Sequence, residues 1–303
     1  MKAKDLENVI DCGDALHLVD EMPERSVQMI VTSPPYYGLR RYSEGAAGEA
    51  GEIGREESVT AYLDRLALLF TKLLPKVADD GALWLNMGDV YIGKALQGLP
   101  RRLALRLIDA GWILRNDVIW QKPNAMPSSV KDRLTVDHEY LFFFTKSSSY
   151  YYDADAIREP HVTFSPESRM KGGRRHFVEN RTPEAGKNAG NSNLHTGDWT
   201  HAFNPKGRNK RTVWSVPLSK FREAHFAVFP ERLIEPCILA TSRAGDIVMA
   251  PFMGSGTTAV VALKHGRKFY GIELNPEYRR MAERRAAACM ETMEAVPSLF
   301  EGS

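Results

Sequence analysis

Residues 246–273 constrain the fold of this chain more than any other stretch. Asp246 to Met249 is an apolar run of strand type. It leads into Pro251-Phe252-Met253-Gly254-Ser255-Gly256-Thr257-Thr258, which opens a helix through about His265. Lys268 to Ile272 is a second strand and ends at Glu273. Strand, glycine turn, helix and strand together make the unit from which doubly wound α/β sheets are built. Gly254 and Gly256 allow the backbone to approach a ligand closely, and the helix N-terminus supplies free N–H groups. Glu273 stands 19 residues after Gly254, where such folds place the acid that grips ribose hydroxyls. On these residues alone, Gly254-x-Gly256-x-x-Ala259 also suits a nicotinamide cofactor, or a turn used only for helix–strand packing. No lysine follows the glycine, so the stretch is a poor phosphate P-loop.

A second stretch lies near the other end of the chain. Val27-Gln28-Met29-Ile30-Val31 is another apolar, β-branched run and passes through Thr32 into Ser33-Pro34-Pro35-Tyr36. The two prolines end the strand, fix φ and remove two backbone donors, which leaves nearby carbonyls facing outward. A hydroxyl before them and an aromatic ring after them make a rigid, acceptor-rich turn. Such a turn suits a planar heterocycle that carries an amino group.

The rest of the chain alternates in the same way. Asn8 to Cys12 is a strand ending at Gly13-Asp14, which delivers a carboxylate to its C-terminal edge. Residues 38–58 are rich in Gly and Glu without periodicity and read as a mobile loop. Tyr62, Leu66, Leu69, Phe70 and Leu73 share one face of a helix over about 60–76. A strand over Ala82–Asn86, a helix over 100–110 and strands over Ile113–Gln121 and Glu139–Thr145 follow; the last is nearly all apolar and reads as central. Pro230 opens a helix. Asn275-Pro276 caps another that runs to about Cys289, with the last dozen residues as a tail. The pattern predicts a mainly parallel sheet covered on both faces.

Between His161 and Arg211 the apolar periodicity lapses. Arg169, Lys171, Arg174, Arg175, Arg181, Lys187, Lys206, Arg208, Lys210 and Arg211 face only Glu167, Glu179, Glu184 and Asp198, with Phe164, Phe177, Trp199 and Phe203 interleaved. The net charge of the 303 residues is only +2, so this local clustering carries the nucleic-acid signal. Cations mixed with aromatics suit contact with phosphates and bases. Residues 159–212 therefore read as an insertion between two halves of one domain, 1–158 and 213–290, with 291–303 as the tail. Cys12, Cys237 and Cys289 lie far apart, which argues against a zinc site or a disulfide framework and fits a reducing, cytoplasmic setting. No apolar run is long enough to span a bilayer, so no membrane partner is expected.

Taken together, the two motifs resemble those of the amino-group DNA methyltransferases that use S-adenosylmethionine. The resemblance is to the permuted class, in which Ser/Asp-Pro-Pro-Tyr precedes Phe-x-Gly-x-Gly. It implies a Rossmann-like methyltransferase sheet with the basic insertion as the target-recognition region. By it, Ser33, Pro34, Pro35 and Tyr36 form the catalytic loop. Asp14 reaches the cofactor's adenine, and the segment His225–Pro230 packs on its methionine end. Phe252, Gly254, Ser255, Gly256, Thr257 and Thr258 form the cofactor loop, and Glu273 holds the ribose. Arg169, Lys171, Arg174, Arg175, Lys206, Arg208, Lys210 and Arg211 are the expected DNA-binding cations. The family has Asp directly before Pro-Phe; this chain has Ala250, which implies weaker binding of the cofactor's ammonium.

The implied reaction moves a methyl group to an exocyclic amine of a base turned out of double-stranded DNA. Serine at the head of the motif points to cytosine N4, with adenine N6 as the alternative. Other readings are a DNA-binding protein with catalysis impaired by Ala250, and methylation of RNA or a small molecule. No cysteine adjoins the Pro-Pro turn, which excludes carbon-5 chemistry. A cognate restriction endonuclease is the partner that the resemblance brings with it.

Overall fold

The computed structural model describes residues 2–38, 52–160, 204, 206–218 and 229–295. Two compact units make up the chain: Met1–Asp153 with Thr212–Ser303, and Ala154–Arg211.

In the larger unit the described strands form an eight-stranded sheet. The strands are β1 (Val9–Cys12), β2 (Val27–Thr32), β3 (Val77–Met87), β6 (Ile113–Gln121), β7 (His138–Thr145), β8 (Val213–Ser215), β9 (Ile247–Ala250) and β10 (Lys268–Glu273). Their order is β1-β10-β9-β2-β3-β7-β6-β8, and β4 (Tyr91–Ile92) with β5 (Ala95–Leu96) makes a separate small hairpin. β1, β10, β9, β2 and β3 are parallel to one another. β7 is interior, but antiparallel to both β3 and β6. The apolar run Leu141–Phe144 reports burial on both faces, which either strand direction satisfies, so direction was not readable from it.

Among the described residues six α-helices cover the sheet: α1 (Ala15–Glu21), α2 (Val59–Leu73), α3 (Leu99–Asp109), α4 (Glu231–Thr241), α5 (Thr257–Lys264) and α6 (Pro276–Ala295). Strand alternation divides the core in two. Ile30, Leu83, Leu85, Phe142, Phe144 and Met249 pack with the buried residues of α1, α2 and α3. Met29, Val31, Trp84, Phe143, Val248 and Ala250 point the other way, toward α4, α5 and α6. After β2 the chain therefore crosses one face, and after β9 the other. The gap between these neighbouring strands, at their C-terminal ends, is the place where doubly wound sheets bind ligands.

Two helices differ from the sequence reading. α1 was not anticipated, because Asp14 was assigned to a ligand and its role as a helix cap was overlooked. α6 continues through Ala295, past the expected stop near Cys289, because Met290–Ala295 holds neither Gly nor Pro.

The smaller unit is described at its neck. Glu159 and Arg208 exchange backbone hydrogen bonds, 3.0 Å from Glu159 N to Arg208 O and 2.8 Å in return. Gly207 has φ +119°, and a Cβ there would lie 2.3 Å from the Glu159 carbonyl oxygen, so the close approach requires glycine. Residues 39–51 of the expected mobile loop and the insertion's 161–203 lie outside the described residues.

Candidate active site

β2 and β9 lie side by side, with Met29 opposite Val248 and Ile30 opposite Met249. β2 delivers Ser33-Pro34-Pro35-Tyr36 to the sheet edge, and β9 delivers the glycine loop. The Thr258 hydroxyl donates to the Val31 carbonyl at 3.4 Å, which ties the start of α5 to the catalytic strand.

The Ser33–Tyr36 loop is organised by a chain of side-chain hydrogen bonds. Ser33 Oγ donates to Tyr36 Oη at 3.3 Å, and Tyr36 Oη donates to Glu139 Oε2 at 2.8 Å. Asn86 Nδ2 donates to the same Glu139 oxygen at 3.1 Å and to the Tyr140 carbonyl at 3.1 Å. The other carboxylate oxygen, Glu139 Oε1, pairs with the Lys122 ammonium, both side chains being largely buried. Burial and the Glu139 carboxylate push the Tyr36 phenol well above its ordinary value, so Tyr36 stays protonated and donates. The negative charge at the end of the chain orients every hydroxyl toward it. Among the described residues no donor is bonded to Ser33 Oγ, whose lone pairs are open to a donor outside the protein.

The prolines divide their carbonyls between fold and site. Tyr62 Oη donates to Pro35 O at 2.9 Å. Among the described residues no donor is bonded to Pro34 O, which leaves it as an acceptor. Gly88 lies against the tyrosine, where a Cβ would stand 2.9 Å from Tyr36 Cε2. Asn86, Lys122 and Glu139 were missed in the sequence. The only signal for Glu139 was an acid at the head of an otherwise apolar strand.

The glycine loop is held by backbone geometry. Gly254 has φ +54°, and a Cβ added there would meet nothing within 4 Å. Gly256 has φ +85°, but its added Cβ would collide with Ala282 Cα and Cβ at 2.8 Å. Gly254 therefore opens a cradle, while Gly256 lets α6 pack close. Among the described residues no side chain caps α5, which leaves its first N–H groups for a ligand. Glu273 is 8% exposed; Oε2 accepts the Gly254 N–H at 2.7 Å and Oε1 the Asn275 N–H at 2.9 Å. Acceptor capacity remains on the carboxylate for a ribose hydroxyl. Burial raises the Glu273 pKa, and the N–H bonds it accepts oppose the shift without cancelling it. Open cradle, uncapped helix and acidic acceptor fit an adenosyl cofactor.

The other expected contacts divide. Phe252 is partly exposed, and Ser255, Thr257 and Thr258 are buried. Arg285 of α6 donates to the Ser255 carbonyl at 2.6 Å and to its hydroxyl at 3.0 Å, so this serine braces the loop. Asp14 caps α1: its Oδ1 accepts the Leu16 N–H at 3.0 Å, and Oδ2 lies 3.6 Å from Arg65. Pro230 is buried at the N-cap of α4, just outside the helix. Ala250 is 1% exposed, on the α4–α6 face. In the smaller unit Lys206 pairs with Asp155 at 3.0 Å, and Arg208 and Lys210 both pair with Glu159 at 3.2 Å. These cations partly neutralise acids of their own unit that the sequence reading had not matched to them. Arg211 is exposed. Arg169, Lys171, Arg174, Arg175 and His225 lie outside the described residues. Among the described residues no group of three or more His, Cys, Asp or Glu could hold a metal ion.

Known proteins are similar to this chain in sequence and fold. The family profile described as DNA methylase, that of N6 and N4 methyltransferases, matches residues 27–284. The chain is 40% identical over 302 aligned residues to the Type II methyltransferase M.Cfr9I of Citrobacter freundii, covering 90% of this chain and 85% of that one. It is 36% identical to the Type II methyltransferase M.SmaI of Serratia marcescens, covering 90% and 88%. Among solved structures, the PvuII cytosine-N4-specific DNA methyltransferase shares the fold with a TM-score of 0.66 at 20% identity, over 95% of this chain and 92% of that one. The Thermus thermophilus DNA modification methylase TTHA0409, complexed with S-adenosyl-L-methionine, superposes with a TM-score of 0.59 at 25% identity, over 92% and 95%. S-adenosylmethionine is accordingly the cofactor, and the chain belongs to the N6/N4 DNA methylase family.

Proposed function

We propose that this methyltransferase modifies the exocyclic N4 amine of cytosine, in a base turned out of double-stranded DNA, as the protective half of a restriction–modification pair. The observation that carries the chemistry is the directed chain from Ser33 through Tyr36 to Glu139. An exocyclic amine is a poor nucleophile because its lone pair is delocalised into the ring. Accepting its two N–H bonds at Ser33 Oγ and Pro34 O draws the nitrogen toward tetrahedral geometry and frees the lone pair. S-adenosylmethionine, when bound, supplies an electrophilic methyl group. Gly254, the α5 N-terminus and Glu273 hold it, and their fixed positions supply the alignment.

The methylated nitrogen must lose a proton. Ser33 Oγ takes that proton as its own passes to Tyr36 Oη, and the Tyr36 proton passes to Glu139. Asn86 and Lys122 hold the carboxylate in place for this. The choice of cytosine over adenine rests on a hydroxyl at position 33 where an aspartate is the other form of the motif. The Type II names of the relatives support the restriction–modification setting. The insertion cations Arg169, Lys171, Arg174, Arg175 and Arg211 contact DNA phosphates in this reading, with Lys206, Arg208 and Lys210 bracing the unit's base as well.

Mass spectrometry of nucleosides from DNA treated with the chain tests the proposal. N4-methylcytosine is the expected product, absent in the Ser33→Ala and Tyr36→Ala variants while both still bind S-adenosylmethionine. N6-methyladenine would reassign the base. Unchanged rates in both variants would remove the loop from the active site.

A further inference from the structure

Leu134 at 89% and Met126 at 85% are the two most exposed large apolar side chains among the described residues, and both stand in the connection 122–137 between β6 and β7. Val130 and Val136 are exposed in the same connection, and residues 126–136 are exposed without a break. Large apolar groups held in water mark contact surfaces when they cluster.

This connection is held outward. Its stem is fixed by the Lys122 N–H to the Asp137 carbonyl at 2.7 Å. Asn124 also exchanges bonds with the Leu218 backbone, at 3.3 and 2.8 Å. Its crown is tied to the β4–β5 hairpin, where Lys94 pairs with Asp132 at 2.9 Å and the Arg133 guanidinium lies 3.5 Å from the Tyr91 ring centroid. The hairpin itself exposes Ile92 and Leu96.

Its place in the fold identifies the partner. Tyr140 of β7 pairs with Met87 of β3, and His138 with Gln121 of β6, so the connection leaves the sheet at the edge where β2 delivers Ser33–Tyr36. Lys122 at its root is joined through Glu139 to Tyr36. Lys131, Arg133 and Lys94 flank the apolar side chains, with Asp132 among them. Apolar tips beside cations, at the edge that must receive a base, fit a nucleic-acid duplex. Apolar side chains enter between base steps, and cations meet phosphates.

The geometry points to the 122–137 connection as a wedge: Met126 and Leu134 enter the duplex beside the target base and fill the space it leaves, with Lys131 and Arg133 on adjoining phosphates. This inference rests on the reading of the protein as a methylase of an extruded base. Extrusion costs least where the base is already mispaired, so a wedge matters most on a matched duplex.

The test is the double variant Met126→Ala/Leu134→Ala in the full chain, compared with wild type in single-turnover methylation. One substrate is a matched duplex; the other carries the target base opposite an abasic site. The expected result is a tenfold or greater loss on the matched duplex, recovery to within about twofold of wild type on the abasic one, and unchanged S-adenosylmethionine affinity. Equal rates of variant and wild type on the matched duplex would overturn the wedge, as would equal losses on both substrates. Failure of the wild-type chain to methylate either DNA would overturn the reading beneath it as well.

Discussion

The two loops that meet at the β2–β9 edge are held by opposite means. The glycine loop is fixed by backbone: positive φ at Gly254 and Gly256, and N–H groups received by Glu273. The Ser33–Tyr36 loop is fixed by side chains from distant strands, Asn86 from β3, Glu139 from β7 and Lys122 just beyond β6. The first, the proposed seat of the cofactor, is held by groups close to it in sequence, with Arg285 of α6 as an added brace. In the proposed reaction the second sets the direction of hydrogen bonds to one amine, and direction comes from a charge placed at the end of a chain.

Gly256→Ala tests the backbone side of this contrast and should have the largest effect. A left-handed φ and a collision with Ala282 together cost about 2–5 kcal/mol. Thermal unfolding should show a clear fall in Tm, and cofactor binding should be lost. Gly254→Ala meets open space, so it should cost only about 1–2 kcal/mol of stability while still weakening cofactor binding. Equal stability losses would show that the two glycines are not divided between packing and ligand.

Glu139→Gln tests the side-chain loop. It removes the charge that orients Tyr36 and Ser33, and kcat should fall about a hundredfold, close to 2.7 kcal/mol, with cofactor affinity unchanged. A matching loss of cofactor affinity in calorimetry would mean that the two loops are not held independently.

Two acidic positions sharpen the comparison further. Glu273→Gln should weaken S-adenosylmethionine by about 1.5–3 kcal/mol, the worth of a hydrogen bond to a charged group. Its pH behaviour has a definite sign. Burial raises this carboxyl above its ordinary 4.5, so the folded state binds the proton more tightly than the unfolded state does. That contribution to stability is complete below about 4.5 and is lost as pH rises through the folded value. The Tm difference between wild type and variant should therefore move in favour of wild type on acidification, and a gap flat with pH would contradict the assignment. Ala250→Asp should have the smallest effect. An ammonium gains a charge-assisted partner, but at 1% exposure the carboxylate loses most of its hydration, leaving about tenfold tighter binding by calorimetry. Equal affinities would make position 250 neutral.

The same contrast explains what was legible in the sequence. The glycine loop, Glu273 and the strands on either side lie within one short stretch, and their roles follow from conformations that only particular residues adopt. The Tyr36 clamp joins residues 50 and 103 positions apart, and nothing local at Asn86 or Glu139 announces it. Gly254 and Gly256 read alike as letters, and only the neighbouring helix separates their duties. Lys206, Arg208 and Lys210 read as DNA-binding cations because their partners Asp155 and Glu159 lie before the basic stretch, about 50 positions away in sequence.

The neck at Glu159 and Arg208 has a consequence for how such chains diversify. Its two sides are 49 positions apart in sequence yet bonded to each other, so whatever lies between is already a closed loop. Closing a longer loop adds little: each doubling of length costs about 0.6 kcal/mol. A segment gated this way can lengthen, shorten or be exchanged wholesale between related chains while the sheet and both loops at its edge stay as they are. The neck is a grafting point, where one segment can replace another without a new closure having to be built.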